Sequence, residues 1–348
     1  MSIQDNPLFC ALQTRAKQLG FDDIGLCTAE PFAHWDAAAP QDLRARLRTD
    51  PRELMPQARA ILVAVRRYGA FDAWPQGHGQ VSQYYTASTA GHDGIEDLAQ
   101  WLRDRGHAAI GNPALPHRAA ALRTGMGFQG WNQQFCHDTL GIMVSLDLVL
   151  TDAPLEAQDA PYRTCPSCGL CMQACPTGAL QEGGSFQREL CLRHHMIGAN
   201  PVPPALRRTM GTRMLGCSEC TIACPLSQCE QQPIPLGLLA STGLRELLRM
   251  EPDTLETMKQ AIGANYARKH RLQAQAALCA GNSGDVSLVP DLIRLLREHP
   301  SVIVRCHSAW SLGQLGDTQA LSALQHALVG ESDETVLGEI RLALGLPA

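Results

Sequence analysis

The feature that most constrains this 348-residue chain is a run of cysteines, "CPSCGLCMQACPTGAL", that begins at Cys165. Cys165, Cys168, Cys171 and Cys175 follow the spacing C-x2-C-x2-C-x3-C, and Pro176 comes directly after the last of them. In this spacing three thiolates hold one cubane iron-sulfur cluster, and the fourth reaches a second cluster. The run therefore predicts a pair of [4Fe-4S] clusters and a loop that wraps around them.

A second set of cysteines completes the ligand count. Cys191 stands apart, and "GCSECTIACP" supplies Cys217, Cys220 and Cys224. By the crossing of two-cluster ferredoxins, one cluster is expected on Cys165, Cys168, Cys171 and Cys224, and the other on Cys175, Cys191, Cys217 and Cys220. Zinc is the competing interpretation, because CxxC pairs also form tetrahedral zinc sites. A zinc site does not require the C-x3-C-P spacing that ends both cysteine motifs, so we favour two iron-sulfur clusters.

The apolar pattern, the net charge and the other cysteines limit where the protein is expected to be located and which partners it is expected to bind. We expect a cytoplasmic protein, because the sequence shows neither a signal peptide nor an apolar run long enough to cross a membrane. In that reducing compartment, clustered thiols indicate metal or redox work. The net charge of -5 argues against a globally basic DNA-binding protein and leaves a local contact with RNA open. The six scattered cysteines are expected to be mostly small core residues: Cys10, Cys27, Cys136, Cys229, Cys279 and Cys306.

The chain divides into three expected domains of α+β character. Residues 1–155 combine a capped N-terminal helix with short β-branched runs, "DDIGLC", "AILVAV" and "GIMVSLDLVL", and are predicted to form an α/β domain. A further helix is predicted in "DGIEDLAQWLRDRG". Residues 156–235 are the expected ferredoxin-like domain with two [4Fe-4S] clusters.

Residues 236–348 carry an internal repeat with a period of 32. Gly281 aligns with Gly313, and Asp285 with Asp317. Two helices per unit, joined at a Gly-Asp turn, are typical of a HEAT-type α-solenoid. Since only about two units are visible, we expect this segment to dock on the rest of the protein; a plain helical bundle is the alternative.

Several stretches resemble one family. "TGMGFQGWNQ", "MGTRMLGCSECTIACP" and "ARKHRLQAQAALCAGNSGD", together with all eight cysteine positions, are similar to motifs of the epoxyqueuosine reductases. These are cobalamin-dependent iron-sulfur enzymes that reduce an epoxide on a modified tRNA nucleoside in queuosine biosynthesis. The resemblance implies a cobalamin bound base-off on the α/β domain. It also implies that Gly125, Gly127, Gly130 and Asn132 approach the cofactor.

The chain departs from this family where the substrate would be protonated. "IGNPALPHRAAALR" places Gly111 or Asn112 where the family carries an aspartate, the proton donor. Neither residue supplies a proton as a carboxyl group does. Tyr85, His92 and His117 are the candidate substitutes, because histidine titrates near neutrality. Each of them is also readily explained as a structural or surface residue.

Two classes of function remain open at this point. The leading hypothesis is a divergent cobalamin-dependent reductase that takes electrons from a ferredoxin- or flavodoxin-type donor and acts on tRNA. A dehalogenase-like reductase of a small molecule is its close variant. The alternative is a ferredoxin-like electron carrier, or a tRNA-binding scaffold, whose cobalamin site has degenerated. No membrane or DNA partner is expected.

Overall fold

The computed structural model describes residues 6–33, 46–227 and 230–347. The first domain is built on a four-stranded sheet of order β1-β2-β8-β5, and its neighbouring strands are all antiparallel. The strands are β1 (Asp23–Thr28), β2 (Ala60–Arg67), β5 (Ala109–Gly111) and β8 (Val144–Thr151). The three predicted apolar runs are thus strands, whereas the short edge strand β5 carried no clear sequence pattern.

Helices cover both faces of this sheet. Helix α1 (Pro7–Gln18) and helix α2 (Gln83–Arg103) pack on one face, where Leu62 of β2 meets Leu98 of α2. Helix α3 (His117–Arg123) packs on the other face, where Val63 meets Ala120. Consecutive residues of β2 therefore face opposite cores, because side chains alternate along a strand.

The caps of α1 and α2 explain where these helices begin. The Asn6 side chain accepts hydrogen bonds from the amides of Leu8 and Phe9, while Asp5, the other predicted cap, lies outside the described residues. Helix α2 begins ten residues before the predicted start at Asp93, where the Ser82 side chain accepts from the Tyr84 amide. Two glycines inside α2 concealed this extension, since glycine ordinarily disfavours helix interiors.

Short strands join the cysteine segment to the first domain. Strand β4 (Gln80–Val81) pairs in parallel with β9 (Arg213–Leu215), and β3 (Ala70–Phe71) pairs in parallel with β10 (Gln231–Gln232). A hairpin of β6 (Gly127–Gln129) and β7 (Phe135–His137) lies beside them. The cysteine loops are thus held by backbone pairing with elements more than 100 residues earlier in the sequence.

Within the cysteine segment the helices are short: α4 (Leu170–Gln173), α5 (Leu192–Met196), α6 (Pro204–Met210) and α7 (Glu219–Ile222). Helices α4 and α7 bury no hydrophobic side chain. Their positions therefore depend on the loops and on what those loops bind.

The C-terminal part is helical throughout: α8 (Leu236–Ser241), α9 (Leu244–Arg249), α10 (Pro252–Ile262), α11 (Lys269–Ser283), α12 (Val289–Glu298), α13 (Val302–Leu315), α14 (Thr318–Gly330) and α15 (Glu334–Ala343). The predicted two-helix units are confirmed, and the repeated glycines have a packing role. A Cβ on Gly281 would lie 2.5 Å from the Ser311 hydroxyl, and one on Gly313 would lie 2.7 Å from the Ala343 Cβ. These glycines therefore let successive helices approach closely.

The helical repeat docks on the cysteine segment, as predicted. The buried guanidinium of Arg207 forms two hydrogen bonds of 2.6 Å with the Glu339 carboxylate. His307 is fully buried between the two parts; its Nε2 accepts from the Val202 amide, and its Nδ1 donates to the Ala274 carbonyl. None of the helices formed by the described residues is long and apolar enough to cross a membrane.

Candidate iron-sulfur and cofactor site

Each CxxC loop ends in a single helical turn that carries one thiol inward. Ser167 and Gly169 adopt left-handed backbone conformations, with φ of 61° and 79°, and turn the chain into α4, which contains Cys171. Helix α7 contains Cys220 in the corresponding place and packs against α4. The two loops thus face each other, and Pro176 and Pro225 lead the chain away from them.

The thiols fall into two neighbouring groups. Burial raises the pKa of Cys171, and the nearby Cys165 and Cys168 raise it further. Cys224, from the distant second loop, is likewise raised by burial and then by Cys168 and Cys165. This crossing brings together the four cysteines that the sequence assigned to one cluster.

The second group shows the complementary arrangement. Burial raises the pKa of Cys220 to about 12, with further contributions from Cys217, Cys191 and Cys175, and a smaller one from Cys171 of the first group. The two groups are therefore adjacent. Gathering thiols in this way is unfavourable for their ionised forms, and bound iron would reverse the effect by deprotonating its ligands.

Cys175 differs from its neighbours, because its pKa is lowered. Burial acts to raise the pKa, but the backbone amide of Thr177, its hydroxyl and the amides of Leu180 and Ala179 all stabilise the thiolate. A sulfur that accepts several amide hydrogen bonds is well suited to ligate a cluster. Among the described residues, no three His, Cys, Asp or Glu side chains lie close enough to hold a single metal ion. A four-iron core separates its thiolates more widely than one tetrahedral ion does.

The predicted cofactor glycines pack against protein atoms. A Cβ on Gly127 would lie 2.1 Å from the Cys136 carbonyl oxygen, and one on Gly125, whose φ is +77°, would lie 2.8 Å from the Ala160 Cβ. A Cβ on Gly130 would lie 2.5 Å from the Asn132 Oδ1. Contacts within the hairpin account for Gly127 and Gly130, and the contact with Ala160 accounts for Gly125. The predicted contact of these glycines with a cofactor stays a prediction.

Asn132 links this hairpin to the second thiol group. Its side chain is almost fully buried; Nδ2 donates to the Cys220 carbonyl at 3.1 Å, and Oδ1 accepts from the Gln134 amide at 3.2 Å. The residue therefore fixes the backbone that carries Cys220. Its predicted donation to a corrin amide stays a prediction.

Tyr85 lies in a cluster of aromatic rings beside the second thiol group. Its ring contacts those of Tyr84 and Tyr266 with centroid distances of 5.4 and 4.7 Å. The Arg193 guanidinium lies 5.4 Å from the Tyr84 ring, and Arg193 follows Cys191 by two residues. The buried Tyr85 hydroxyl makes no hydrogen bond of good geometry among the described residues, and burial raises its pKa. Tyr85 therefore stays protonated at neutral pH.

An open cleft of about 150 Å³ lies next to this aromatic cluster. Gly216, Ser218 and Glu219, around Cys217 of the second thiol group, line one side, and Ser82 and Gln83 at the start of α2 line the other. The second thiol group thus borders a cavity.

Arg118 supplies a cation near the same region. Its guanidinium donates to the Gln133 carbonyl and keeps accessible surface. Surrounding protein nevertheless lowers its pKa, and the nearby Arg193 lowers it further. Arg118 therefore lies near Arg193 and Tyr84. Neither arginine was predicted from the sequence.

His92 and His117 lie apart from Tyr85 and close to one another. His92 follows Tyr85 by seven residues, about 10 Å along α2. Its Nδ1 lies 3.3 Å from the Asn112 Nδ2, and the His117 Nδ1 lies 3.0 Å from the Leu146 carbonyl oxygen. Between these histidines lies Asp147, which the sequence analysis overlooked. The signal was available, since Asp147 is the single charged residue of its strand.

Comparison with known proteins shows what the chain is similar to. Residues 164–227 match the 4Fe-4S double cluster binding domain, and residues 258–345 match HEAT repeats. The epoxyqueuosine reductase of Bacillus subtilis is 27% identical over 95% of this chain and 94% of its own length. Over nearly its whole length the chain is thus similar to epoxyqueuosine reductases.

Solved structures of epoxyqueuosine reductases have the same fold. One was determined with an epoxyqueuosine-modified tRNA-Tyr stem loop; it is 26% identical, covers 97% of this chain and 98% of that one, and superposes with a TM-score of 0.82. Another, from Bacillus subtilis, has its catalytic aspartate loop swung out of the active site; it is 25% identical, covers 98% and 99% of the two chains, and has a TM-score of 0.80. The chain is therefore an iron-sulfur oxidoreductase with the fold of these enzymes.

Proposed function

We propose that this chain is a cytoplasmic reductase that uses two [4Fe-4S] clusters and a cobalamin to reduce an epoxide on a tRNA nucleoside. The observation that carries the proposal is the pair of crossed thiol groups, because the second group borders a cleft between the first domain and the cysteine segment. The full-length similarity to epoxyqueuosine reductases supports the substrate class.

The eight cysteines are proposed as two ligand sets in the crossed arrangement. Cys168 is the exposed thiol among the eight, whereas Cys220 is strongly desolvated. Electrons therefore enter at the first group, from a ferredoxin- or flavodoxin-type donor, and leave from the second group toward the cleft.

The cleft is the proposed cobalamin site. The family resemblance assigns Gly125, Gly127, Gly130 and Asn132 to the cofactor, although none of these four residues lines the cleft. Bound cobalamin supplies a strongly reducing cobalt centre. Arg213 and Trp74 form part of the wall, and the Asn132 side chain holds the Cys220 carbonyl in place so that the cluster loop keeps its position.

The first test is anaerobic reconstitution with iron, sulfide and cobalamin, followed by metal analysis and EPR. We expect about eight iron atoms per chain, because two cubanes contain that number, and cobalt equimolar with protein. Cys220→Ser is expected to lose the second cluster, whereas Cys10→Ser, which changes an exposed thiol outside both groups, serves as the matched control. Unchanged iron in Cys220→Ser would refute the ligand assignment.

The second test concerns the substrate. The reconstituted protein is incubated with a reductant and an epoxyqueuosine-containing tRNA stem loop, and the nucleosides are analysed by mass spectrometry. Loss of the epoxide supports the proposal. A protein that holds iron and cobalt but leaves the epoxide intact would be a reductase of another substrate, such as a small halogenated molecule.

A second candidate function is favoured by one observation. The glycines assigned to the cofactor are all closed by protein packing, and Gly111 or Asn112 stands at the expected acid position. An electron carrier that binds clusters but no corrinoid would have these properties. Iron without cobalt in the reconstituted protein, with clusters that still exchange electrons with a donor, would establish it.

A further inference from the structure

A second pocket, of about 210 Å³, opens where the helical repeat meets the cysteine segment. The start of α11 forms one wall with Arg268, Lys269 and Arg271, and the loop after α5 forms another with Asn200. Ser301, which directly precedes α13, also lines this pocket. It is distinct from the cleft beside the second thiol group, because the two share no lining residue.

Two helices begin at this pocket without the usual capping. The side chains of Arg268 and Ser301, which precede α11 and α13, cap no backbone amide, and neither helix has an acidic residue in its first turn. The other C-terminal helices of ten or more residues have an aspartate as the cap or in the first turn: Asp253 in α10, Asp291 in α12, Asp317 before α14 and Asp333 before α15. Uncapped amides and the positive end of the helix dipole favour a bound anion.

The side chains at the start of α11 add to this positive field. Arg268, Lys269 and Arg271 form no ion pair with a carboxylate among residues 6–33, 46–227 and 230–347. Burial lowers the pKa of the Arg271 guanidinium, and the nearby Arg268 lowers it further. Cations in the first turn of a helix are also unfavourable with the helix dipole. The cluster therefore carries an electrostatic cost that a bound anion would remove.

Gln275 independently indicates a ligand. It follows Arg271 by four residues, lines the pocket and is 4% exposed. Its Oε1 is buried and has no hydrogen-bond partner in the part of the chain that the structure describes. Gln273 shows the ordinary case: its Nε2 donates to the Leu248 carbonyl at 3.0 Å, and its Oε1 lies 3.1 Å from the His299 Nε2. A buried amide without a partner is costly, so we expect a ligand to supply the partner of Gln275.

The groups around the pocket select the chemistry of this ligand. Guanidinium and ammonium groups, together with uncapped helix amides, are the usual partners of phosphate oxygens. A phosphodiester accepts hydrogen bonds and has none to donate, whereas the Gln275 Oε1 needs a donor. The ribose 2′-hydroxyl is such a donor; it lies on the carbon next to the one that carries the 3′-phosphate, and DNA lacks it. The pocket thus fits a ribose-phosphate unit.

The start of α11 is connected to the cleft by direct contacts. Tyr266 precedes Lys269 by three residues, and its ring packs against that of Tyr85 at a centroid distance of 4.7 Å. Tyr85 follows Gln83, which lines the cleft, by two residues. A substrate as large as a tRNA stem loop extends beyond the cleft, so a second contact with its backbone is expected.

We propose that this pocket binds a ribose-phosphate unit in the backbone of the RNA substrate; the choice of RNA rests on the proposed function. Lys269 and Arg271 hold the phosphate oxygens at the starts of the two helices, and Gln275 accepts from the 2′-hydroxyl of the adjacent ribose. Such contacts position a nucleic acid without reading its bases. The pocket therefore adds affinity for RNA and takes no part in the reduction itself.

The first test measures binding of a fluorescent tRNA stem loop without the epoxide to the reconstituted full chain, by anisotropy. Lys269→Gln, at an exposed position, should weaken binding about 10-fold, the usual contribution of one charge-assisted hydrogen bond. The slope of log K against log[salt] should also decrease in magnitude by about 0.7–0.9, the value for one phosphate contact. Arg341→Gln, which removes the same charge near the end of α15, is the matched control. Equal affinities of the parent and Lys269→Gln would overturn the proposal.

Thermal unfolding separates a lost contact from a folding defect. Lys269→Gln removes a cation from the first turn of α11, so the thermal midpoint of the ligand-free protein should stay the same or rise. Weaker RNA binding by a protein of equal or greater stability would support the proposal. A lower midpoint together with weaker binding would mean that Lys269 supports the fold, and the assignment would be wrong.

The role of Gln275 is tested with RNA and DNA stem loops of the same sequence. Gln275→Leu removes the polar atoms and should weaken binding of the RNA while leaving binding of the DNA unchanged, because only RNA carries the 2′-hydroxyl. An equal effect on the two strands would overturn the ribose contact.

Inorganic phosphate is the last probe, since a free phosphate compound could use the same groups. If phosphate raises the thermal midpoint of the parent but not of Lys269→Gln, while both bind the RNA equally, the pocket serves such a compound and the assignment to RNA is overturned. If the pocket variants weaken RNA binding but the parent leaves the epoxide of the modified stem loop intact, the proposed function fails and the RNA site stands.

Discussion

The double-cluster segment, residues 164–227, and the helical repeat after residue 268 are stabilised in different ways. The segment contains helices of four to seven residues, whereas those of the repeat have 10 to 15. Isolated helices of four residues are unstable in water, and α4 and α7 bury no hydrophobic side chain. The segment therefore takes its form from ligands and neighbours, and the repeat takes its form from its own packing.

Removal of iron should produce the largest difference in stability between the two regions. Anaerobic chelation is expected to abolish hydrogen-exchange protection around α4 and α7, because their thiols lose the core that holds them. Helices α11 and α13 should keep their protection. Hydrogen exchange with mass spectrometry on the reconstituted and chelated protein measures this difference. Equal loss in both regions would mean that they form one cooperative unit.

The buried ion pair between the regions should have the next largest effect. Glu339→Ala leaves the Arg207 guanidinium buried without its partner, and this should lower the free energy of unfolding by about 3–5 kcal/mol. Glu256→Ala, which breaks an exposed pair with Lys259, is the control and should cost less than about 0.5 kcal/mol. Denaturant unfolding measures both. Equal effects would show that the Arg207 pair contributes no more than a surface contact.

Packing inside the repeat can be tested by one truncation. Leu292→Ala removes a fully buried side chain of α12 and should cost about 2–5 kcal/mol. Leu321→Ala on α14, where the leucine is 38% exposed, is the matched control and should cost much less. A small effect of Leu292→Ala would contradict a self-supporting repeat.

Low pH should destabilise the contact between the two regions, because His307 is buried there. Burial lowers the pKa of His307 to about 3, from an ordinary value of 6.5. As the pH falls from 6.5 toward 3, the unfolded chain binds a proton that the folded protein refuses, so stability falls by at most about 1.4 kcal/mol per pH unit. His307→Gln, which keeps an acceptor for the Val202 amide, should reduce this dependence. Parallel pH profiles of parent and variant would contradict it.

The sequence predicted those features that depend on short spacing. A local pattern in the sequence encodes the cysteine positions, the three long strands of the sheet and the repeat. These features could therefore be predicted. The first ten residues of α2 were missed, because Gly91 and Gly94 serve packing against Asp147 and Phe21 rather than helix propensity.

The unpredicted part of the site depends on contacts between distant elements. Asp147, Asn112 and His92 come from a strand, a loop and a helix, and no spacing in the sequence relates them. Likewise, Arg193 meets Tyr84 only because the cysteine segment folds back on α2. Such groupings are set by tertiary packing and become visible only in three dimensions.

The ion pair between Arg207 and Glu339 also has a consequence for biosynthesis. The two residues are separated by 132 positions, so during translation the guanidinium leaves the ribosome long before its carboxylate. Contacts of such long range form late in folding. The cysteine loops have therefore been fully synthesised, and can receive iron, before the ribosome has made α15. That helix carries Glu339, which later pairs with Arg207 of α6.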